Sequence, residues 1–255
     1  MEEALLRDEM LLMFSGWVAG CIDSIAGGGG LITLPTLAGF LEPGPHSIGT
    51  NKIVGFTGAL IAFLVYLRKH PLHLRRGAAY VAVVGLGALL GSWCSPFFPK
   101  VYFRYLLIAA CPLVLWVIWN KQAFMNEFRD PPGNPLFSLM VSGVAVGFYD
   151  GFFGPGGGTF MLLSLLMTAR LPLFEALLLS KLANTASAGV SLVSYGLQGY
   201  VHPRYGMIMA VGMTLGGYMG ASLASRKAEK VVRPVLALVV AGLLAIQFRE
   251  AIHSH

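Results

Sequence analysis

GCIDSIAGGGGL at residues 20–31 and GFYDGFFGPGGG at residues 147–158 are the two stretches of this 255-residue chain that decide its fold. In each stretch an aspartate, Asp23 or Asp150, lies four residues before a run of glycines inside an otherwise apolar segment. Relative to alanine, glycine disfavours a helix by about 1 kcal/mol per residue and proline by about 3 kcal/mol. Both runs therefore predict a break in a helix, one in each half of the chain.

The chain repeats itself well beyond these stretches. Asp23 and Asp150 are 127 positions apart, and after a gap of two residues the offset becomes 129, which relates Lys52 to Lys181. The same offset pairs Pro43 with Pro172, Tyr66 with Tyr195, His73 with His202, Arg75 with Arg204, Gly77 with Gly206, Gly87 with Gly216, Gly91 with Gly220 and Arg104 with Arg233. A match sustained over this length indicates an internal repeat.

The composition is typical of a membrane protein. Hydrophobic residues make up 56% of the chain and charged residues 12%, about half the charged share of a soluble domain. Residues 80–98, 105–119 and 234–248 carry no charge and are long enough, or nearly so, to cross a hydrocarbon core about 30 Å thick. The net charge of +6 comes from basic residues in short loops, which report membrane orientation and not a nucleic-acid partner. An ordinary soluble protein is excluded.

The repeat and the apolar stretches predict an all-α integral membrane protein with two inverted repeats, each a broken re-entrant helical hairpin followed by three transmembrane helices. We assign residues 1–123 to the first repeat, 124–133 to a polar linker and 134–255 to the second repeat. The hairpins are expected at about residues 10–41 and 136–168. The transmembrane helices are expected at about residues 44–67, 77–97, 102–121, 172–197, 204–225 and 231–249.

Loop charges help to decide whether the broken segments cross the membrane, since lysine and arginine accumulate in cytoplasmic loops. If the segments cross, the positive loop residues divide nearly evenly between the two sides. If they turn back, one side receives Arg68, Lys69, Arg75, Arg76, Lys121, Arg129, Arg170, Arg226, Lys227, Lys230 and Arg233, and the other receives Arg7, Lys100, Arg104, Arg204 and Arg249. We prefer the hairpin, which places the N-terminus outside. The acidic start also lacks the basic region of a signal peptide, so we expect the N-terminus to be retained.

The glycine breaks are the first candidates for chemistry, because non-helical backbone at membrane depth is tolerated only where it is buried in protein or lines a cavity. A second half-helix begins near Leu31 or Thr159, and its free N–H groups and positive dipole end suit an anion. The candidate glycines are Gly28, Gly29, Gly30, Gly156 and Gly157. The alternative is close helix packing, which we assign to Gly87, Gly91, Gly216 and Gly220.

Two lysines, Lys52 and Lys181, each follow a proline by nine residues, and proline favours a helix start. Nine helical residues span roughly 13 Å, which places both charges near the middle of the membrane. A charge there needs a partner or a ligand, so we expect the lysines to bind one anion. Alternatively, each pairs with a buried carboxylate. Asn51 and Asn184 lie nearby, at positions that are not equivalent in the repeat. Their amides either donate to an oxyanion or form a hydrogen bond between two helices.

Asp23 and Asp150 lie one helical turn before their breaks. This is the negative end of the first half-helix, which is unfavourable for a carboxylate unless it is protonated or paired. The aspartates therefore either neutralise the lysines or carry protons that couple transport.

Other polar residues give weaker indications. His73 and His202, with Arg75 and Arg204, precede the helices expected at 77–97 and 204–225. Together with Tyr66 and Tyr195, we interpret them as interfacial anchors, with a proton relay through the histidines as the alternative. The sequence contains no nucleophile and base pair, HExxH pattern or metal-ligand cluster, so we predict no enzyme activity, metal or cofactor.

Four stretches together resemble the TauE/SafE sulfite exporter family. They are IDSIAGGGGLI at residues 22–32, GTNK at 49–52, GFYDGFFGPG at 147–156 and KLAN at 181–184, and they follow one another over almost the whole chain. The resemblance implies export of sulfite, a sulfonate or another small oxyanion across a bacterial inner membrane, driven by an ion gradient. It also implies that Asn51, Lys52, Lys181 and Asn184 bind the substrate.

The sequence therefore predicts a secondary transporter that exports a small anion by alternating access, with proton coupling as one mode. Its expected partners are the anion, the lipid bilayer and protons, and a homodimer is one candidate assembly. Two alternatives remain. One is a passive anion channel, and the other is a cation carrier in which Asp23 and Asp150 are the ligands.

Overall fold

The computed structural model describes residues 2–69, 74–99, 102–103, 105–106 and 135–225, and all regular structure in these ranges is helical. We number the helices α1 Glu2–Ala26, α2 Gly30–Leu41, α3 Pro45–Leu67, α4 Leu74–Cys94, α5 Pro135–Phe152, α6 Gly157–Ser164, α7 Leu173–Leu197 and α8 Pro203–Ser225. A 3-10 turn, Ser95–Phe97, follows α4, and a π-helical turn, Leu165–Ala169, follows α6. The linker expected at 124–133, the helix expected at 231–249 and most of that expected at 102–121 lie outside the described residues.

Four helical segments are long and apolar enough to cross a membrane. They are Pro45–Leu67, Gly77–Phe97, Leu173–Leu197 and Pro203–Ser225. On the last of them Met207, Val211, Leu215 and Met219, four residues apart, are each more than half exposed. A continuous apolar stripe on the outside of the molecule suits contact with lipid chains. The chain is thus a multi-pass, all-helical membrane protein.

Both predicted breaks are present at the glycine runs. Gly27 and Gly28 have φ angles of 79° and 91°, a region that favours glycine because it has no Cβ. In the second break the positive φ angles fall on Gly154 and Gly156. Pro155 occupies the position equivalent to Gly28, and its ring fixes φ near −65°, so the turn shifts by one residue.

The chain turns back at the first break. A Cβ on Gly29 would lie 2.9 Å from the carbonyl oxygen of Ala19, ten residues earlier. A helix continuing straight would separate the two residues by about 15 Å. Helices α1 and α2 therefore lie side by side after the break.

Each half of the chain packs a helix against the broken helix of the other half. A Cβ on Gly216 of α8 would lie 2.0 Å from the Trp17 oxygen, and one on Gly87 of α4 would lie 2.2 Å from the Val144 oxygen. These two contacts are equivalent in the repeat, and Gly220 and Gly91 form the next equivalent pair. Only glycine allows backbones to approach this closely, in agreement with the packing role predicted for these four residues.

Helices α3 and α7, which are equivalent in the repeat, cross in opposite directions. Gly49 near the start of α3 lies against Tyr195 near the end of α7. At the other end of α3, Tyr66 packs in one buried cluster with Leu178. The two helices are therefore antiparallel neighbours at the centre of the molecule.

Side-chain contacts identify which helix ends lie together. The Lys69 Nζ, just beyond α3, donates to the Ser225 Oγ at the end of α8 at 2.7 Å. At the opposite end, the rings of His46 and His202 are 5.1 Å apart. The C-terminal ends of α3 and α8 thus share one end of the molecule, and their N-terminal ends share the other.

Candidate functional site

The two helix breaks and the middle of α3 and α7 line a partly open cavity of about 30 Å³. That volume accommodates about two water molecules. The cavity is lined by Asp23, Gly28, Gly30, Thr33, Asn51, Lys52, Gly55, Asp150, Gly154, Gly156, Gly157, Gly158, Asn184, Ala188 and Met213. Nine of the predicted site residues are in this set, whereas Lys181 and Gly29 are not. Residues that are far apart in sequence thus meet at one buried point.

Lys52 is held by the last turn of α5. Its Nζ lies 3.1 Å from the Asp150 Oδ2 and also donates to the Asp150 main-chain oxygen. Both side chains are about 95% buried. A cation near the C-terminal carbonyls of a helix is favoured by the helix dipole, so Lys52 is matched in charge and in hydrogen bonding.

Lys181 makes the equivalent contacts with α1. Its Nζ lies 2.8 Å from the Asp23 Oδ2 and donates to the Asp23 main-chain oxygen. Each lysine therefore reaches from its own half of the chain to the aspartate of the other half. The carboxylate pairing that the sequence left as an alternative is present at both lysines.

The aspartates also lie against the second half-helices. The Gly29 N–H, directly before α2, donates to the Asp23 Oδ1 at 3.1 Å. A Cβ on Gly157, the first residue of α6, would lie 2.1 Å from the Asp150 Oδ1. The carboxylates thus occupy the positive ends of α2 and α6, which offsets the unfavourable position that the sequence predicted for them.

Asn51 and Asn184 both face the cavity. The Asn51 Oδ1 is buried and accepts no hydrogen bond from any described residue. The Asn184 Nδ2 lies at the second break, 3.0 Å from where a Cβ on Gly158 would be. The unpaired Asn51 Oδ1 is an acceptor that is available to a donor group of a ligand, because a buried polar group without a hydrogen bond is costly.

Tyr66 and Tyr195 are not interfacial anchors. They are 1% and 0% exposed, and their hydroxyls donate to the main-chain oxygens of Ser24 and Gly151, at 2.6 Å and 2.9 Å. Each acceptor directly follows a site aspartate. The repeat paired these two tyrosines, but tyrosine is also typical of a membrane interface, which led to the wrong prediction. Only the packing shows that they bind the ends of the half-helices. The side chain of His73 lies outside the described residues.

Sequence reasoning missed several other cavity residues. Thr33, Gly55, Ala188 and Met213 belong to helical faces with no distinctive motif. Gly154 and Gly158 belong to the predicted break and could have been included. Ser187, on α7, was also missed, and its Oγ donates to the Asp150 Oδ2 at 2.5 Å.

Comparison with known proteins identifies a family. The sequence model of the family described as Sulfite exporter TauE/SafE matches residues 12–248. No solved structure matches the chain.

Several bacterial proteins are similar over most of their length. The "Probable membrane transporter protein YfcA" of Escherichia coli K12 is 31% identical over 92% of this chain and 87% of its own. A "Probable membrane transporter protein" of Haemophilus influenzae is 33% identical over 90% of each chain. The "Probable membrane transporter protein ORF9" of a Sinorhizobium species is 32% identical over 91% of this chain and 89% of its own. The family match and these relatives show that the chain belongs to the TauE/SafE sulfite exporter family.

Proposed function

We propose that this protein is a secondary transporter that exports a small oxyanion, such as sulfite or a sulfonate, through the cavity between the two helix breaks. The observation that carries the proposal is Lys52, a buried ammonium that lines this cavity beside the amides of Asn51 and Asn184. The name of the family supports the substrate class. Ammonium and amide groups are suitable donors to an oxyanion.

The charges of the two lysines and two aspartates constrain how the anion binds. Lys52 and Lys181 are each paired with one carboxylate, so the four groups carry no net charge. An entering anion must therefore take over a lysine from its aspartate, and the released carboxylate needs a compensating positive charge, because an unpaired buried charge is costly. A proton supplies that charge, which supports coupling of the anion to protons.

The internal repeat supports alternating access. Helices α3 and α7 are equivalent in sequence and run antiparallel, and each half contributes its lysine to the aspartate of the other. This exchange of contacts is the arrangement expected of two inverted repeats, in which one repeat rocks against the other around a fixed site. The contacts Lys69 to Ser225 and His46 to His202 favour re-entrant hairpins, because crossing segments would place each pair on opposite sides.

The size of the cavity favours a carrier over an open channel. A cavity that holds about two water molecules is too small for sulfite, which has four non-hydrogen atoms. The walls must therefore separate for the ion to enter. We place the protein in a bacterial inner membrane with its N-terminus outside, as the charge distribution of the loops favours.

Counterflow in proteoliposomes tests the proposal. Vesicles are loaded with unlabelled sulfite, and the uptake of a trace of labelled sulfite is followed after dilution. A carrier exchanges the two pools and accumulates the label transiently, whereas a channel does not. We expect accumulation with the native protein and at least a tenfold loss with Lys52→Ala or Lys181→Ala, since the first removes the ligand and the second leaves Asp23 without its partner.

The control is Ser191→Ala on α7, because the Ser191 Oγ is buried and has no hydrogen-bond partner among the described residues. Counterflow at the native rate in this variant makes the losses specific to the lysines. Uptake of label without transient accumulation would identify a channel. Accumulation of labelled sodium in place of sulfite would identify a cation carrier and overturn the proposal.

A further inference from the structure

We propose that the two ion pairs have different roles in the anion transport proposed above: Asp150 accepts the coupling proton, with Ser187 as its positioning residue, and Asp23 remains an ionised structural partner of Lys181. The repeat makes the two pairs equivalent in sequence. Their surroundings are not equivalent, and the differences in cavity contact and in hydrogen-bond donors carry the inference.

The first difference is access to the cavity. Both Lys52 and Asp150 line it, but of the other pair only Asp23 does. The Lys52 ammonium is therefore in reach of an anion in the cavity while it still borders its carboxylate. Lys181 would have to leave its position to make such a contact.

The second difference is the donor that remains when the lysine turns to the anion. The Asp150 Oδ2 accepts hydrogen bonds from the Lys52 Nζ at 3.1 Å and from the Ser187 Oγ at 2.5 Å. A serine hydroxyl donates to a carboxylate and accepts from a carboxylic acid with the same oxygen. Ser187 thus suits both protonation states of Asp150.

Among the described residues, Asp23 has no hydroxyl partner of this kind. Its Oδ1 accepts from the Gly29 main-chain N–H at 3.1 Å, and an N–H group can only donate, so it offers no acceptor to the O–H of a protonated Asp23. The residue equivalent to Ser187 is Gly58. The pair of Asp23 and Lys181 therefore lacks the hydroxyl.

The charged and titratable groups around Asp150 are consistent with one proton at this site. Lys52 faces it from α3, and Tyr195 on α7 donates to the adjacent Gly151 oxygen. Asp23 lines the same cavity from α1, and α6 presents the glycine Gly157. Two carboxylates that border one small cavity repel each other. When Lys52 turns to an anion, this repulsion disfavours the state in which both remain ionised.

The step balances in charge and atoms. A proton from solution adds to the Asp150 carboxylate, and the new O–H donates to the Ser187 Oγ. Lys52 keeps its own protons and donates to an anion oxygen in place of Asp150. One proton accompanies each monovalent anion in the same direction, so the cluster stays neutral and export runs down the outward gradient of the anion.

Infrared difference spectroscopy of the purified protein tests the inference without transport. A protonated carboxylic acid has a carbonyl stretch that a carboxylate lacks. The chain has 12 aspartates and glutamates, so the Asp150 component of this band is the part of the native difference spectrum that Asp150→Asn lacks. We expect this component on acidification in the native protein and in Ser191→Ala and Asp23→Asn. In Ser187→Ala the midpoint should rise by about one pH unit or more, because the lost hydrogen bond to the charged carboxylate is stronger than the one to the neutral acid, and Ser187→Thr should restore it.

Three results would overturn the inference: native and Asp150→Asn spectra that titrate alike, a component lost in Asp23→Asn but kept in Asp150→Asn, or a Ser187→Ala midpoint equal to that of Ser191→Ala. A pH dye trapped in proteoliposomes adds the transport arm. With methanesulfonate, which carries no proton of its own, proton movement should accompany anion movement in the native protein and be lost in Asp150→Asn. Failure of sulfite and methanesulfonate counterflow with the band intact would remove the proposed function and leave the proton site.

Discussion

Lys52 and Lys181 illustrate how far single residues can be interpreted from the sequence. Their position beyond a helix-starting proline predicted mid-membrane charges that need partners, and the structure supplies those partners in Asp150 and Asp23. What the sequence could not provide was the exchange between halves, because the repeat aligns Lys52 with Lys181 and says nothing about which aspartate each one reaches. Nor could it distinguish the two pairs, since that difference depends on Ser187, on an α7 face without a motif.

The stability of the Lys52 and Asp150 pair is the first prediction at this scale. Lys52→Met leaves a carboxylate that is about 95% buried without its charge partner, which should cost about 3–5 kcal/mol. The double variant Lys52→Met with Asp150→Asn removes both charges and should recover most of that loss. Thermal unfolding in detergent compares the single and double variants.

The matched control is the exposed pair of Arg204 and Glu9, whose side chains are 65% and 37% exposed. Glu9→Gln should leave the melting temperature unchanged, because solvent screens an exposed ion pair. If the double variant unfolds as early as the single one, burial of an uncompensated charge is not the reason for the loss.

At the scale of the helix, the glycine runs were sufficient to predict where the chain breaks. The helix ends at Ala26 and Phe152 and the restarts at Gly30 and Gly157 follow from the poor helix propensity of glycine and proline. The exact turn could not be predicted, because it depends on Pro155 shifting the positive φ to Gly156. The sequence also did not show that the aspartates themselves occupy the half-helix N-termini, since that contact forms only when the chain turns back.

Gly157→Ala tests this contact. A Cβ at this position would lie 2.1 Å from the Asp150 Oδ1, so the substitution must displace the carboxylate or the break. We expect sulfite counterflow to fall at least tenfold. Gly196→Ala, on the exposed side of α7, meets nothing within 4 Å and should retain native counterflow with a stability gain of about 0.5–1 kcal/mol. Equal activity of the two variants would show that the close approach of Asp150 to α6 has no role in transport.

At the scale of the whole molecule, the repeat predicted equivalent helices and the loop charges favoured re-entrant hairpins. The internal match predicted equivalent helices, and α3 and α7 are indeed neighbours, but only their contacts reveal that they run antiparallel. Loop charges alone do not separate three crossings per half from four, because the side assigned to each loop depends on whether the broken segment counts as a crossing. The contact of Lys69 with Ser225 provides a criterion that is independent of charge.

Cysteine labelling in cells tests the topology. After replacement of Cys21, Cys94 and Cys111, single cysteines are introduced as Lys69→Cys and Arg204→Cys, both at exposed positions. Re-entrant hairpins place these residues on opposite sides of the membrane, and an outside N-terminus places residue 204 outside. A membrane-impermeant maleimide should therefore label Arg204→Cys in intact cells and Lys69→Cys only after permeabilisation. Labelling of both from the same side would mean that the broken segments cross the membrane.

The position of the bound anion tests whether the cavity beside Lys52 is the transport site. Selenite has the same pyramidal shape and charge pattern as sulfite, and the anomalous scattering of selenium locates it in a crystal. We expect one selenium atom in the cavity between the two breaks, with a selenite oxygen within hydrogen-bond distance of the Lys52 Nζ, and Lys181 still on Asp23. A selenium site elsewhere, in a preparation that transports selenite, would mean that the anion does not bind in this cavity.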